Sequence, residues 1–242
     1  MKNKANILLV GLVVVAAFLA GSVWTKMRVG SEKVKTIEKV EEEIPASPEF
    51  NPPKSEKPVV KFFVMSFCPF GNQAEAGLKP VYDLLKDKVE WQPRYIVSRQ
   101  GQNFVSLHGK QELNQDVREL CVLNLQGGEK YWQFVEKVNQ NCDYQTADKC
   151  WTGQAQAVGV KTSPVSSCQE TQAEALLAAQ IEEVEKYQAY GSPMVFVNEE
   201  LYDGGRAPED YKLAICSAFE SEPPECATVL SETSEAAVGG CQ

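Results

Sequence analysis

The chain has one histidine in 242 residues, and no two of its eight cysteines stand in a Cys-x-x-Cys spacing. Together these absences argue against a zinc site, which needs clustered His and Cys ligands. Basic charge is also short: Lys plus Arg is 24 against 33 Asp plus Glu, a formal net charge of -9. Residues 1–57 carry 9 basic and 7 acidic side chains and the remainder 15 and 26, so the acidity belongs to the later part. Such a surface repels phosphate backbones, so nucleic acid is not expected as a partner. There is no internal repeat. With 43% hydrophobic and 24% charged residues, the composition is that of a globular protein.

One long apolar run is present. Ile7–Trp24 is uncharged, with Lys2 and Lys4 before it and Lys26 and Arg28 after it. As a helix it rises roughly 27 Å, close to a hydrocarbon thickness of about 30 Å. We expect residues 1–6 in the cytoplasm and 7–24 as a transmembrane signal-anchor, with a cleaved signal peptide as the competing reading. Leu19-Ala20-Gly21-Ser22 has serine where a lipoprotein box has cysteine, which removes lipidation. In both readings the rest of the chain is extracytoplasmic: held at the cell membrane by a single pass, or secreted if the signal is cleaved. Eight cysteines agree, because disulfides persist in oxidising compartments. Residues 25–57 form a charged, proline-punctuated stalk, 58–226 one domain, and 227–242 a flexible polar tail.

Within the domain, Val59–Met65 is β-branched and aromatic, like a strand buried on both faces. Ser66-Phe67-Cys68-Pro69-Phe70-Gly71 follows, then helical spacing at Ala74, Leu78, Val81, Tyr82 and Leu85, with Pro80 expected to kink the helix. Val89–Val97 is a second strand. From about 105 to 190 the apolar stripes are helical: Leu113, Val117, Leu120 and Cys121; Tyr131, Phe134, Val135 and Val138; Ala173, Leu177, Ile181 and Val184. Ser192-Pro193 precedes a strand at Met194–Val197, a turn at Asn198-Glu199 and a second strand at Glu200–Tyr202. Pro208 opens a last helix through Ala218.

Removing the helical block leaves β-α-β…β-β-α, an order that resembles the thioredoxin-like superfamily. The expected fold is α/β and thioredoxin-like, with a helical insertion. Cys68 sits where a strand hands over to a helix. Unpaired N–H groups and the positive helix end there stabilise a thiolate, the form that attacks disulfides. Pro69 fits the first helical turn. In that superfamily a cis-proline packs beside the reactive cysteine and its neighbour's backbone guides the substrate peptide, roles the resemblance places on Pro193 and Ser192. The chain departs from the usual motif at Gly71, where a second cysteine is expected, and Cys68-Pro69-Phe70-Gly71 resembles monothiol members. A mixed disulfide on Cys68 would be resolved by a small thiol, by the substrate's own second thiol, or by another cysteine of the chain.

His108, Gly109, Glu112 and Cys121 match, at the family spacing, a signature of the gamma-interferon-inducible lysosomal thiol reductases. Ser106 and Leu113 replace two cysteines, Leu107 the glutamine and Asp116 the asparagine. The stretch Tyr131–Cys226 is similar to the thioredoxin-like luminal segment of plant vacuolar sorting receptors, through its Trp-Gln-Phe-Val helix, the pair Cys142 and Cys150, the lone Cys168 and Ile215-Cys216-Ser217-Ala218-Phe219 before Cys226. The two resemblances agree on fold and differ on activity, since those receptors bind peptides without turnover. His108 is read as a loop-fixing or capping residue, with a proton-donor role as the alternative.

Eight cysteines allow 105 pairings. Proximity favours Cys142–Cys150 and Cys216–Cys226, with Cys121–Cys168 then cross-linking the insertion, each worth about 2–4 kcal/mol. Cys68 and Cys241 remain. Cys241 is either a distant resolving thiol for Cys68 or a free tail cysteine that pairs between chains. The lead expectation is a membrane-anchored thiol–disulfide oxidoreductase without cofactor or metal. It would act on thiol- or disulfide-containing proteins, with a small-thiol or membrane redox partner. A peptide-binding module is the alternative, and a purely structural domain with Cys68 buried is the third reading.

Overall fold

Strand β1 (Val59–Val64) has five of its six residues buried, because helices cover both of its faces. The computed structural model describes residues 50–236. The expected membrane segment 7–24, its cytoplasmic lead, most of the stalk, and Cys241 lie outside the described residues. Among the described residues no helix is long and apolar enough to cross a membrane.

After β1 come α1 (Pro69–Leu85), β2 (Glu90–Tyr95), a small antiparallel pair β3 (Ser98–Gln100) and β4 (Asn103–Val105), and α2 (Lys110–Asn141). Then follow α3 (Ala147–Ala157), α4 (Thr162–Tyr187), β5 (Met194–Val197), β6 (Glu200–Tyr202) and α5 (Pro208–Cys216). The main sheet runs β2-β1-β5-β6. Strands β1 and β2 are parallel, joined by the α1 crossover, and the other pairs are antiparallel. The Asn198-Glu199 turn places both residues at positive φ, 47° and 72°.

Alternate residues of β1 serve two cores. Val60, Phe62 and Val64 join α1, α2 and α5 in the larger one, where Phe62 stacks on Trp132 at 5.4 Å. Phe63 faces Val184, Ala189 and Phe196. Lys61 shares that second face and is buried there: its ammonium donates to Glu183 and Tyr187, each at 2.6 Å. Gly77 is required where α1 meets α5, since a Cβ would stand 2.5 Å from the Arg206 carbonyl oxygen.

Several expectations change. The insertion starts at Lys110, because residues 98–105 form the β3–β4 hairpin around Gly101, which takes φ 64°. Helix α1 runs unbroken through Pro80. In α2 the backbone leaves helical geometry at Gly127 (φ 84°, ψ 171°), so the apolar stripes at Leu113–Cys121 and Tyr131–Val138 belong to two segments. Three disulfides staple the helices. Cys121–Cys168 joins α2 to α4, Cys142–Cys150 joins the end of α2 to α3, and Cys216–Cys226 ties α5 to a single 3₁₀ turn at Pro224–Ala227.

Residues expected to be a polar tail bond the domain as far as Glu235. The buried Lys212 ammonium donates to the Thr228 carbonyl at 2.7 Å, Leu230 N–H donates to the Glu209 carboxylate at 2.6 Å, and Glu209 N–H donates to the Ser231 carbonyl at 3.0 Å.

Candidate active site

Cys68 is the N-cap of α1 and Pro69 its first residue, so the sulfur lies at the helix end whose N–H groups are unpaired. The turn before it is closed by the Cys68 N–H donating to the Met65 carbonyl at 3.0 Å. Across the sheet, the Ser192–Pro193 peptide is cis and the Ser192 carbonyl oxygen stands 3.7 Å from Cys68 Sγ. The Ser192 hydroxyl accepts from the Met65 N–H at 3.2 Å. Cys68, Gly71, Ser192 and Pro193, distant in sequence, are thus brought to one place.

Gly71 follows from this arrangement. A Cβ there would come within 2.6 Å of the Ser192 hydroxyl oxygen. Real Cβ atoms do not approach that closely, so the serine occupies the space that a cysteine at 71 would need. Phe70 is partly exposed beside Arg206, whose guanidinium lies 5.8 Å from its ring.

The sequence leads one to expect Cys68 as an accessible nucleophile, with pairing to another cysteine and burial as the alternatives. Cys68 is disulfide-bonded and fully buried. The other six described cysteines pair among themselves, and none of the seven is free. The form described is therefore the oxidised one.

Beneath the turn lies a feature the sequence reading missed. Glu112, Asp116 and Glu119 of α2 are fully buried, and Glu75 of α1 is 2% exposed. Glu112 accepts four bonds: from the Phe67 N–H at 3.0 Å, the Ser106 hydroxyl at 2.6 Å, and the His108 N–H and Nδ1 at 2.9 and 2.7 Å. His108 is thus tied to a carboxylate that also holds the residue before Cys68. Asp116 accepts from the Ser66 hydroxyl at 2.6 Å and its N–H at 3.3 Å, leaving its second oxygen buried without a partner. Glu119 accepts from the Tyr95 hydroxyl at 2.5 Å and Gln115 at 2.9 Å, and Tyr95 meets the Tyr131 hydroxyl at 3.1 Å.

Burial disfavours the charged forms in this layer. It pushes Glu119 up to about 7, against the pull of its bonds from Tyr95, Gln115 and Ser66. Asp116 is raised well above the usual range by burial and then by the Glu112 charge. Glu75 is raised likewise, by burial and then by Glu119, and one of its oxygens is also unpartnered. Burial thus favours the protonated forms of these three carboxyls. The available signal was a carboxyl stripe at 112, 116 and 119, helical spacing beside the apolar stripe 113, 117, 120 and 121. Such a stripe is indistinguishable from a solvated helix face until the Ser66–Phe67 turn, the 106–108 loop and Tyr95 are seen to meet it. Among the described residues no group of His, Cys, Asp and Glu is arranged to hold a metal ion.

No protein-family model and no curated protein matches the chain. Solved structures do. A reduced disulfide bond oxidoreductase (DsbG) from Mycobacterium tuberculosis is 16% identical with a TM-score of 0.51, over 69% of this chain and 81% of that one. The fold is thioredoxin-like. ScsC from Proteus mirabilis in a transitional conformation has TM-score 0.49 at 10% identity, covering 88% and 94% of the two chains. Oxidised BdbD from Bacillus subtilis has 0.46 at 17%, covering 70% and 92%. In thioredoxin-like terms, α2 to α4 are the insertion, placed between β2 and the strand that follows the cis-proline.

Proposed function

We propose that the chain is an extracytoplasmic thiol–disulfide oxidoreductase, held at the membrane by residues 7–24, that exchanges disulfides with protein substrates through Cys68. The observation that supports this most is the placement of Cys68 at a helix N-terminus, 3.7 Å from the carbonyl before a cis-proline and already engaged in a disulfide. Reduced, that sulfur is stabilised as a thiolate by the helix end. The thiolate attacks one sulfur of a substrate disulfide, a new S–S bond forms to Cys68, and the substrate's other sulfur leaves as a thiolate. The Ser192 and Pro193 backbone guides the peptide. His108 has no proton-transfer step in this reading, and no cofactor or metal is called for. Of the matched positions, Glu112 holds Phe67 and His108 in turn bonds Glu112.

Purified full-length chain should exchange insulin and glutathione disulfides, and Cys68→Ser should lower the rate to the uncatalysed background. Unchanged turnover in Cys68→Ser would remove the proposal. A second reading, peptide binding without turnover, is favoured by the apolar groove beside the site, lined by Met65, Ile96, Val97, Phe104, Leu113 and Tyr190. It would show as substrate retention by Cys68→Ser together with no exchange by the wild type.

A further inference from the structure

We infer that the β3–β4 hairpin and the start of α2 select the substrate: the groove they border takes an extended peptide whose apolar side chains are flanked by Asp or Glu. The inference rests on the reading of Cys68 as the reacting sulfur, and it names the class of chain that this sulfur meets.

Place, shape and charge carry it together. The groove lies beyond the carboxyl ends of the two parallel strands, where open α/β sheets take their ligands. Its lining includes Met65, the residue after β1, and Ile96 and Val97, which follow β2. The Met65 carbonyl accepts the Cys68 N–H at 3.0 Å, and its N–H donates to the Ser192 hydroxyl at 3.2 Å. The groove therefore runs up to the reactive turn and the cis-proline. At about 1240 Å³ it exceeds the roughly 300–1,000 Å³ of a small-molecule pocket and suits a stretch of chain.

Two large apolar side chains of its lining stand in water: Leu107 is 57% exposed and Tyr190 is 70% exposed. Leu107 is not on a loose loop. Its neighbours Ser106 and His108 donate to the buried Glu112 carboxylate at 2.6 and 2.9 Å, and the same carboxylate accepts from the Phe67 N–H. One side chain thus sets the spacing between the groove's edge and the Cys68 turn. Tyr190 stands two residues before Ser192, on the approach to the cis-proline. Exposed apolar groups gathered around a concave surface mark a binding site.

Charge decides the kind of peptide. Residues 58–242 carry 26 acidic and 15 basic side chains, yet the charged residues lining the groove are Arg99, Lys110 and one acid, Glu185. The Arg99 guanidinium lies 4.2 Å from the Phe104 ring, which holds it against the groove wall. Among the described residues, neither Arg99 nor Lys110 has an ion-pair partner. Two cations not claimed within the domain, beside apolar side chains, complement a client that brings the carboxylate. Glu185 belongs to the α4 wall and repels that carboxylate, which favours the hairpin side. A lysine-bearing client meets Arg99 and Lys110 as like charges and is disfavoured.

The test uses the full-length chain and two dye-labelled peptides of about eight residues, the span of an extended strand. Both carry Leu and Phe around a central serine, one with Asp beside it and the other with Lys. Serine stands in for cysteine, so fluorescence anisotropy reads binding alone. The Asp peptide should bind about tenfold tighter at about 0.05 M salt, and the difference should shrink to about twofold or less at about 0.5 M. Arg99→Glu with Lys110→Glu should invert the preference. Leu107→Ser with Tyr190→Ser should weaken both peptides; all four side chains are exposed, so these variants keep the fold. With cysteine at the centre, disulfide-linked to thionitrobenzoate, the peptides should react with the reduced chain in the same order. There the Cys68 thiolate attacks the peptide sulfur, the Cys68–peptide bond forms, and thionitrobenzoate leaves as a coloured thiolate.

Equal affinity for the two peptides at low salt, or a preference that Arg99→Glu with Lys110→Glu leaves unchanged, would overturn the inference and leave the oxidoreductase reading to the Cys68→Ser assay. A chain that binds neither peptide and sediments as a dimer that Tyr190→Ser dissolves would also overturn it, making the groove a contact between copies. Selective binding with exchange that survives Cys68→Ser would overturn both the oxidoreductase reading and the substrate role given to this groove.

Discussion

The two sides of the Cys68 turn are built from opposite materials. On the sheet side it meets Ser192 and Pro193, contacts made by backbone and one small hydroxyl. On the α2 side it meets Glu112 and Asp116, buried carboxyls whose bonds hold Ser66 and Phe67. The first side shapes the space around the sulfur. The second fixes the turn's position. Reactivity and rigidity are thus assigned to different elements, and each can be disturbed separately.

The largest effect is expected on the carboxyl side. Glu112→Ala leaves the Phe67 N–H, Ser106 and His108 without their acceptor in a dry site and should cost about 3–5 kcal/mol by urea denaturation. A loss under about 1 kcal/mol would show that the turn holds itself and would break the comparison.

The next concerns pH. Glu119 keeps its proton to about 7 when folded, against an ordinary value of 4.5. Between those values the folded chain binds more protons than the unfolded one. Stability from this group is therefore full below about pH 4.5 and is lost as pH rises to about 7, on the order of a few kcal/mol. Asp116 and Glu75 act in the same direction. Thermal midpoints should fall from pH 5 to 8, and Glu119→Gln should flatten that fall. A midpoint rising with pH over this range would contradict the buried, proton-holding layer.

The smallest effect is on the sheet side. Gly71→Cys, which restores the familiar spacing, should destabilise by about 1–3 kcal/mol through its clash with Ser192. Ser192→Gly should recover most of that loss, measured as a coupling in a double-mutant cycle. Additive effects would mean that the serine does not occupy the missing cysteine's space.

Legibility divided along the same line. Cys68, Pro69, Ser192 and Pro193 carry local signals: a strand-to-helix change, a proline at a helix start, a proline before a strand. The spacing of Cys142 and Cys150, eight residues apart, is short enough to suggest their bond, and the succession of strands and helices follows from apolar patterning and turn residues. The carboxyl layer carried no such signal, because burial of a helix stripe depends on what packs over it. The β3–β4 hairpin was missed for a related reason: three-residue strands are too short to show a period. The bonding of the tail was hidden in Glu- and Ser-rich composition, which says nothing of a carbonyl that meets Gln73.

Strand β2 lies at the rim of the sheet, and its even-numbered N–H groups turn inward: Glu90 donates to Pro58 and Ile96 to Val64. Outward donors therefore fall on odd positions. There Pro93 has no N–H at all, and the Tyr95 N–H is taken by the Gln180 side chain at 3.0 Å. The rim is closed to strand addition over these positions, which guards it against edge-to-edge pairing with neighbouring molecules. On the proposed function, such a rim would let the chain present Cys68 to extended clients without also offering a template for polymerisation.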